Sequence, residues 1–442
     1  MHESGAVASA GVMWLAAIIF VITYGVVMSE KVNRAIVALV AAGLMIILGV
    51  INQEQAIRGI DFNTIGLLIG MMLIVAITRQ SGIFQFLAIW SAKKVNAHPW
   101  GILVMISLVT AVTSAFLDNV TTVLLVVPVT LLITEELKVK PYPYLFAMIF
   151  SSNIGGTATL IGDPPNIMIG SATGLTFNDF AWNLTPAVLV VFLVTLIPIY
   201  FIWGRHLRAA PEDRQRVMQF NEFEAIKDWR LLKQCLTVIG IVVFGFVFAR
   251  FLHLEAATIA IFGAAILLLL ANFGHDPEHQ SKHVLDAFNE VEWITIFFFV
   301  GLFIVVHAVD STGLLKILAE KMLALTGGEL KATAMVILWS SAVLSAIIDN
   351  IPFVATMIPL IKAMAPSFGG PEGVMPLWWA LSLGACLGGN GTLIGASANL
   401  VVAGFAERAG QPIRFMRYTL VAFPIMLMSI FICMYYLEWR YL

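Results

Sequence analysis

The sequence predicts an all-α polytopic membrane protein, an inverted-topology repeat of about ten transmembrane helices plus two re-entrant hairpins. Three observations lead there. Of 442 residues, 60% are hydrophobic and 12% charged, about half the charge of a soluble domain. Apolar stretches of about 17–25 residues, enough to cross a hydrocarbon layer roughly 30 Å thick, recur from end to end. The second half of the chain also repeats the first at a nearly constant offset. These apolar runs do not alternate, which excludes an outer-membrane barrel. A net charge of −2, small and dispersed, gives nucleic acid no footing.

In chain order, full crossings are predicted at 13–28, 34–51, 62–79, 142–173 (broken), 184–203, 232–251, 257–273, 292–309, 375–405 (broken) and 417–437. The first reads as a span and not a cleavable signal peptide, because Met1 to Ala10 has no basic start. Two apolar regions remain, 99–135 and 332–365, each too long for one helix and each with Asp-Asn at its centre. The polar segment Gly204–Lys233 holds seven Lys and Arg, which marks it as a cytoplasmic linker between the halves. The predicted domains are therefore 1–203, a linker at 204–231, and 232–442. Counting back from the linker, Lys93, Lys94, Lys138 and Lys140 fall inside, so both flanks of 99–135 share one side. That suits a hairpin with its polar tip at membrane depth, where non-helical backbone is tolerated only if protein or a wet cavity surrounds it. Lys31, Arg34, Arg408, Arg414 and Arg417 also come out inside, and both termini outside. Lys316, Lys321 and Lys331 come out outside, against the rule, and are assigned to a surface-lying segment.

At an offset of 231, Gly82 meets Gly313, Ser114 meets Ser345, Asp118-Asn119 meets Asp349-Asn350 and Pro128 meets Pro359. Two residues further, "GGTATLIGDPPN" from Gly155 meets "GGNGTLIGASAN" from Gly388. Each half holds five crossings and one hairpin. An odd number inverts the second half, as in secondary transporters whose site lies at the midplane between repeats.

A charged carboxylate mid-membrane costs about 2.5–3.5 kcal/mol, so Asp118 and Asp349 call for partners, protons or a wet cavity. Each serves an ion site or caps its hairpin turn. Helix C-termini and Asp oxygens suit a cation or proton and helix N-termini an anion, and each tip offers both. Gly155-Gly156 and Gly388-Gly389, with Pro164-Pro165, predict discontinuous helices whose opened backbone faces the tips. Asn166 and Asn399, past each break, are placed to cap the second half-helix. Asp163, matched by Ala396, acts in coupling or as a cap. His307 reads as a hydrogen-bonded core residue or a proton relay, and Asp61 and Glu292 as interfacial. Cys235, Cys386 and Cys433 are far apart in apolar runs and give neither disulfide nor zinc spacing.

The motifs "SAFLDNVTTVLLVVPVT", "GGTATLIGDPPN", "SAIIDNIPFVATMIPL" and "GGNGTLIGASANL" resemble the ion transporter superfamily. Within it they are similar to the branch of arsenite permeases, sodium/proton antiporters (ArsB/NhaD) and the melanosomal P protein, and most of all to the P-protein pattern. The resemblance spans nearly the whole chain. It implies a homodimer in the bilayer with scaffold and transport domains, an elevator motion, and a site made by both tips and both broken helices. The related sodium-coupled dicarboxylate branch carries Ser-Asn-Thr at both tips. Asp118-Asn119-Val120 and Asp349-Asn350-Ile351 depart from it, which favours exchange against protons over dicarboxylate symport.

The expected function is ion-coupled secondary transport in the cell inner membrane, with proton-coupled arsenite/antimonite efflux first. Sodium/proton antiport, a chloride-type channel and sodium-dicarboxylate symport are the alternatives. No clustered His, Cys or nucleophile–base set speaks for an enzyme, and no cofactor or metal is called for beyond a coupling proton or sodium. The expected binding set is Asp118, Asn119, Thr121, Gly156, Thr157, Thr159, Asn166, Asp349, Asn350, Gly389, Asn390, Thr392 and Asn399, with Asp163 for coupling.

Overall fold

A computed structural model describes residues 10–29 and 31–442; the side predicted for the first nine residues lies outside that range. The first half holds α1 (Ala10–Met28), α2 (Arg34–Ile47), the short α3 (Gln53–Gly59), α4 (Phe62–Gln80), α5 (Ile83–Lys94), α6 (Pro99–Phe116), α7 (Asn119–Glu136), α8 (Tyr142–Thr157), α9 (Pro164–Thr173) and α10 (Phe177–Ile202). After α11 (Pro211–Met218) in the linker come α12 (Trp229–Val247), the one-turn α13 (Ala249–Leu252), α14 (Ala256–Asn272), α15 (Pro277–Asn289) and α16 (Trp293–Ser311). The chain ends with α17 (Leu314–Leu325), α18 (Leu330–Ile347), α19 (Asn350–Met364), α20 (Met375–Gly388), α21 (Ser397–Arg408) and α22 (Phe415–Tyr441).

The protein is all-helical among the described residues. Ten helices there are long and apolar enough to cross a membrane: α1, α4, α10, α12, α16 and α22 singly, and the hairpin arms α6, α7, α18 and α19. The crossing predicted at 34–51 is shorter than expected. α2 stops at Ile47, and its 14 residues span only about 21 Å at 1.5 Å per residue. A separate turn of helix, α3, follows, started by an Asn52/Gln55 capping box. α10 starts at Phe177, ahead of the predicted 184, because Thr176 and Asp179 form another capping box. α17 covers Lys316 and Lys321 with 12 residues, too few to span. The sequence reading placed no helix at α5, α11 or α15.

The helices form two clusters. In the first, α4 packs on α14 and α2 on α16, so each half contributes to both pairs. Glycines at matching positions permit the contact. A Cβ on Gly70 would lie 2.6 Å from the Ala260 carbonyl carbon, and one on Gly301 2.5 Å from that of Ala38. In the second cluster, α6 packs on α8 and α18 on α20, while α10 and α22 lie against each other. Tyr436 of α22 donates to the Asn183 carbonyl there at 2.6 Å.

α5 and α17 join the clusters, each entered through a left-handed glycine, Gly82 (φ +86) and Gly313 (φ +82). The linker lies across the ends of the first-half helices, with ion pairs from Lys93 to Glu222 at 2.5 Å and Lys138 to Asp213 at 3.3 Å. The Lys93 bond holds the Glu222 carboxyl below its ordinary value. Elsewhere Lys331 pairs with Glu438 at 3.2 Å. Each of these pairs joins segments given the same predicted side.

Candidate functional site

Both hairpins turn at their Asp. α6 ends at Phe116 and Asp118 begins α7 as its N-cap, with Oδ1 accepting from the Thr121 N–H at 2.8 Å. The Thr121 hydroxyl donates to Oδ2 of the same carboxylate. Asp349 caps α19 in the same way, from the Ile351 N–H at 3.0 Å. The position matching Thr121 is Pro352, which has no hydroxyl. Oδ2 of Asp349 instead accepts from Arg34 Nη1 at 2.8 Å and from the Ser397 hydroxyl at 3.0 Å.

Behind each tip lies a broken helix. A Cβ on Gly162 would sit 2.6 Å from the carbonyl oxygens of both Gly156 and Ser114, so the three strands of backbone touch. Gly395 has the same relation to Gly389 (2.7 Å) and Ser345 (2.9 Å). Thr159 and Thr392 donate to the Ala115 and Ala346 carbonyls, tying break to hairpin. Ser114 and Ser345 bond the carbonyls of Ser152 (2.7 Å) and Ala385 (2.6 Å). Gly156, Thr157, Thr159, Gly389 and Thr392 thus shape the site through backbone packing and do not line its cavity.

Asn166 and Asn399 correct the sequence reading. Neither caps the second half-helix. Asn166 Nδ2 reaches back to the carbonyls of Thr157 (3.1 Å) and Thr159 (2.9 Å), and Asn399 Nδ2 to those of Gly389 (2.7 Å) and Thr392 (2.9 Å). The break strands carbonyls that the helix no longer satisfies, and these amides close them. Their own oxygens are taken from the facing half. Asn399 accepts from Asn153 at 2.9 Å, and Asn166 from Ser382 at 2.6 Å and Cys386 at 3.6 Å.

Asn153, absent from the predicted set, is the hub of this amide network. It accepts from Asn119 at 3.2 Å and donates to Asn390 at 3.0 Å as well as to Asn399. Asn119 also accepts from Ser152 through its carbonyl. Asn350, the twin of Asn119, bonds no amide. It donates to Asp163 at 3.3 Å, linking the second hairpin to the first broken helix. Asp163 is 1% exposed, and its side chain makes no capping bond to α9.

These groups meet at a cavity of about 20 Å³, lined by Arg34, Asp118, Asn119, Asp163, Pro164, Glu292, Thr295, Asn350 and Ser397 among others. Its size holds one water molecule. Beside it lies a vestibule of about 350 Å³, bounded by Asn33, Arg34, Asp349 and Ser397 with apolar neighbours. Of the predicted set, Asp118, Asn119, Asp163 and Asn350 line the cavity and Asp349 the vestibule. Thr121 serves Asp118, while Asn390 lies one layer behind, its carbonyl accepting from Tyr418 at 3.1 Å.

The N-termini of α7, α9, α19 and α21 converge on this cavity, which the symmetric charge of the tips did not predict. Glu292 corrects another reading. It is not merely interfacial, for it accepts from Thr295 at 3.0 Å and lines the cavity with Asp118. Arg34 went unnoticed because the sequence showed only a basic residue near a loop. His307 lines a separate pocket with Asp61, Asp310 and Lys362.

Comparison with known proteins follows the same outline. The model of the CitMHS family, described as citrate transporter, matches residues 24–384. An uncharacterized transporter of Mycobacterium bovis is 43% identical over 97% of this chain and 98% of its own length. The 46 kDa membrane protein of Mycobacterium leprae is 41% identical over 97% of this chain and 99% of its own. The P protein of Homo sapiens is 34% identical over 94% of this chain, which spans 58% of that longer protein. Among solved structures, the Alcanivorax borkumensis YdaH transporter, described as having an unusual topology, matches with a TM-score of 0.59. The match covers 96% of this chain and 97% of that one at 15% identity, a likeness of fold alone.

Proposed function

The chain belongs to the citrate transporter family, and on that premise we propose that it is a proton-coupled secondary transporter of a small anion. Carboxylates of the citrate class are the first substrates to test. The observation that carries this reading is the convergence of four helix N-termini on one cavity. Each end carries about half a positive charge, the setting in which anions bind; α7 and α21 add free first-turn N–H groups, whereas α9 opens on Pro164-Pro165 and α19 holds Pro352 in its first turn. Asp118, Asp163 and Glu292 line the same cavity. Of these, Asp118 and Asp163 are buried and make no ion pair among the described residues; a bare charge there is costly, which makes the proton the coupling ion of this reading. Asp163 is the preferred carrier, since Asn350 Nδ2 is its bonding partner across the halves.

Alternating access would carry the second cluster, with both tips and both breaks, past the first as an elevator, with the two halves as inverted repeats. The motif resemblance extends this to a homodimer in the inner membrane. A second reading, antiport of arsenite or antimonite against protons, is favoured by the Asp-Asn tips and by the room for only about 20 Å³ between them.

Flux in proteoliposomes tests both. Under the first reading a citrate gradient drives protons in the same direction, and Asp163→Asn abolishes proton movement. Under the second, arsenite and protons move oppositely. Citrate flux unaccompanied by protons in the unmodified protein would overturn the coupling, and conduction without any coupled gradient would identify a channel.

A further inference from the structure

Arg34 is the one cation lining the cavity among the described residues. It begins α2 in the first cluster, yet its contacts reach into the second. Nη1 donates to Asp349 at 2.8 Å and to the Ser397 hydroxyl at 2.9 Å, and Nη2 to Thr295 at 3.1 Å. The guanidinium carbon also lies over the Phe298 ring, 5.1 Å from its centre, within cation–π reach. The matching glycine contacts pair Ala38 with Ala260, so the position opposite Arg34 in the second half is Ala256. One half alone carries the cation.

We propose that Arg34 is the residue that recognises the transported anion, and that Asp349 occupies it as an internal substitute while no anion is bound. The inference rests on the anion reading above and assigns its recognition residue. The two tips differ in the way this requires. Asp118 satisfies both carboxylate oxygens within its own first turn, through Thr121. Asp349 uses one oxygen for its own helix and presents the other to Arg34 and Ser397. A carboxylate held by a guanidinium and a hydroxyl at a helix N-terminus is what a bound anion would look like there. The vestibule runs along this pair, with Arg34, Asp349 and Ser397 in its wall, so an anion reaches them without the hairpin unfolding. An anion that takes Arg34 and Ser397 frees one oxygen of Asp349. The other keeps its bond from the Ile351 N–H, and the tip stays capped.

The test is equilibrium binding of citrate and of inorganic phosphate to the purified full-length protein. It compares the unmodified chain with Asp349→Asn and with the double variant Arg34→Gln/Asp349→Asn. Losing Arg34 alone strands a carboxylate, so the double variant, which removes both charges, is the folded reference, checked by a monodisperse elution profile. Removing the substitute should tighten anion binding about tenfold or more, the worth of one charged hydrogen bond, and the double variant should lose that gain entirely. Equal binding by Asp349→Asn and the unmodified chain overturns the proposal, as does a double variant that binds like Asp349→Asn. If the unmodified chain binds neither anion but Asp349→Asn does, the transport reading fails and the masked Arg34 stands. If no form binds either anion, both fall.

Discussion

Replacing Gly155 by Ala should damage the site from behind. A Cβ there would lie 2.1 Å from the Ala111 carbonyl oxygen and 2.6 Å from its carbonyl carbon and Cα. Ordinary contact begins at 3.4 Å, so α6 must retreat by 3.4 − 2.1, about 1.3 Å. The opposing atoms are backbone, and no rotamer change relieves them. Overpacking of this kind costs about 1–3 kcal/mol. One turn further on, the Ser114–Ser152 bond and the Thr159–Ala115 bond stretch with α6, each worth about 0.5–1.5 kcal/mol net. Asp118 sits at the end of the displaced arm, so the tip moves with it. The matching substitution Gly388→Ala needs only 3.4 − 2.5, or about 0.9 Å, against Ala342. Gly240→Ala in α12 meets nothing within 4 Å and should gain about 0.5–1 kcal/mol of helix stability. Melting in detergent and flux in proteoliposomes should therefore rank Gly155→Ala below Gly388→Ala, and Gly240→Ala at or above the unmodified protein. If Gly155→Ala melts with Gly240→Ala, the close packing of α8 on α6 does not hold the hairpin.

Asn153→Ala strips partners from Asn119, Asn390 and Asn399 together; at about 1–3 kcal/mol per buried polar group left unpaired, a clear fall in melting temperature is expected, checked by thermal unfolding. His283 of α15 lies 2.7 Å from Gln80 Oε1 and 3.1 Å from Asn272 Oδ1, joining α15 to the ends of α4 and α14. Burial lowers its pKa first and the charges of His279 and His275 add to this, with Asp286 opposing. The unfolded chain then binds the proton more readily, so stability should fall as pH drops from about 6.5 through the lower folded value. Hydrogen exchange in α15 should rise over that window and lose its pH dependence in His283→Gln; equal pH dependence in both proteins would remove His283 as the cause.

Much of the hairpin and break geometry was readable because it rests on residues rare in apolar helices. Asp-Asn at the tips, Gly-Gly at both breaks and Pro-Pro at the first interrupt hydrophobic runs in ways few other structures need. α5 was not readable, since its 12 residues are too few to span and carry no repeating apolar stripe, and α17, also of 12 residues, was read only as a surface-lying segment. Asn166 was misassigned because sequence order puts it past the break, whereas the chain doubles back and its amide meets the carbonyls before it. Asn153 left no trace, as a lone amide in an apolar run looks like tolerated core until three other amides converge on it. Arg34 was hidden by its own usefulness as a topology marker: a basic residue near a helix start explains itself without a site.

The matching positions divide by what they do. Those that shape backbone agree across the halves: Gly155 with Gly388, Thr159 with Thr392, Asn166 with Asn399. The tips themselves agree, Asp118-Asn119 with Asp349-Asn350, but their partners do not: Asp163 with Ala396, Asn153 with Cys386, Thr121 with Pro352, Arg34 with Ala256. Under alternating access the two end states would arise as the halves exchange conformations, and the first tip would then meet Ala256 where the second now meets Arg34. On that reading the ion pair would favour the present state. Ala256→Arg should offset that bias, since Ala256 borders a pocket of about 160 Å³ with room for a longer side chain. A reporter is at hand in Ile347→Cys, which faces the vestibule and is 48% exposed, while Cys235, Cys386 and Cys433 are all buried. Labelling of that reporter by an impermeant maleimide should slow about fivefold when Ala256→Arg is added, the scale of a modest coupling between sites. An unchanged labelling rate in a well-folded double variant would mean that the Arg34–Asp349 pair does not set the balance between states.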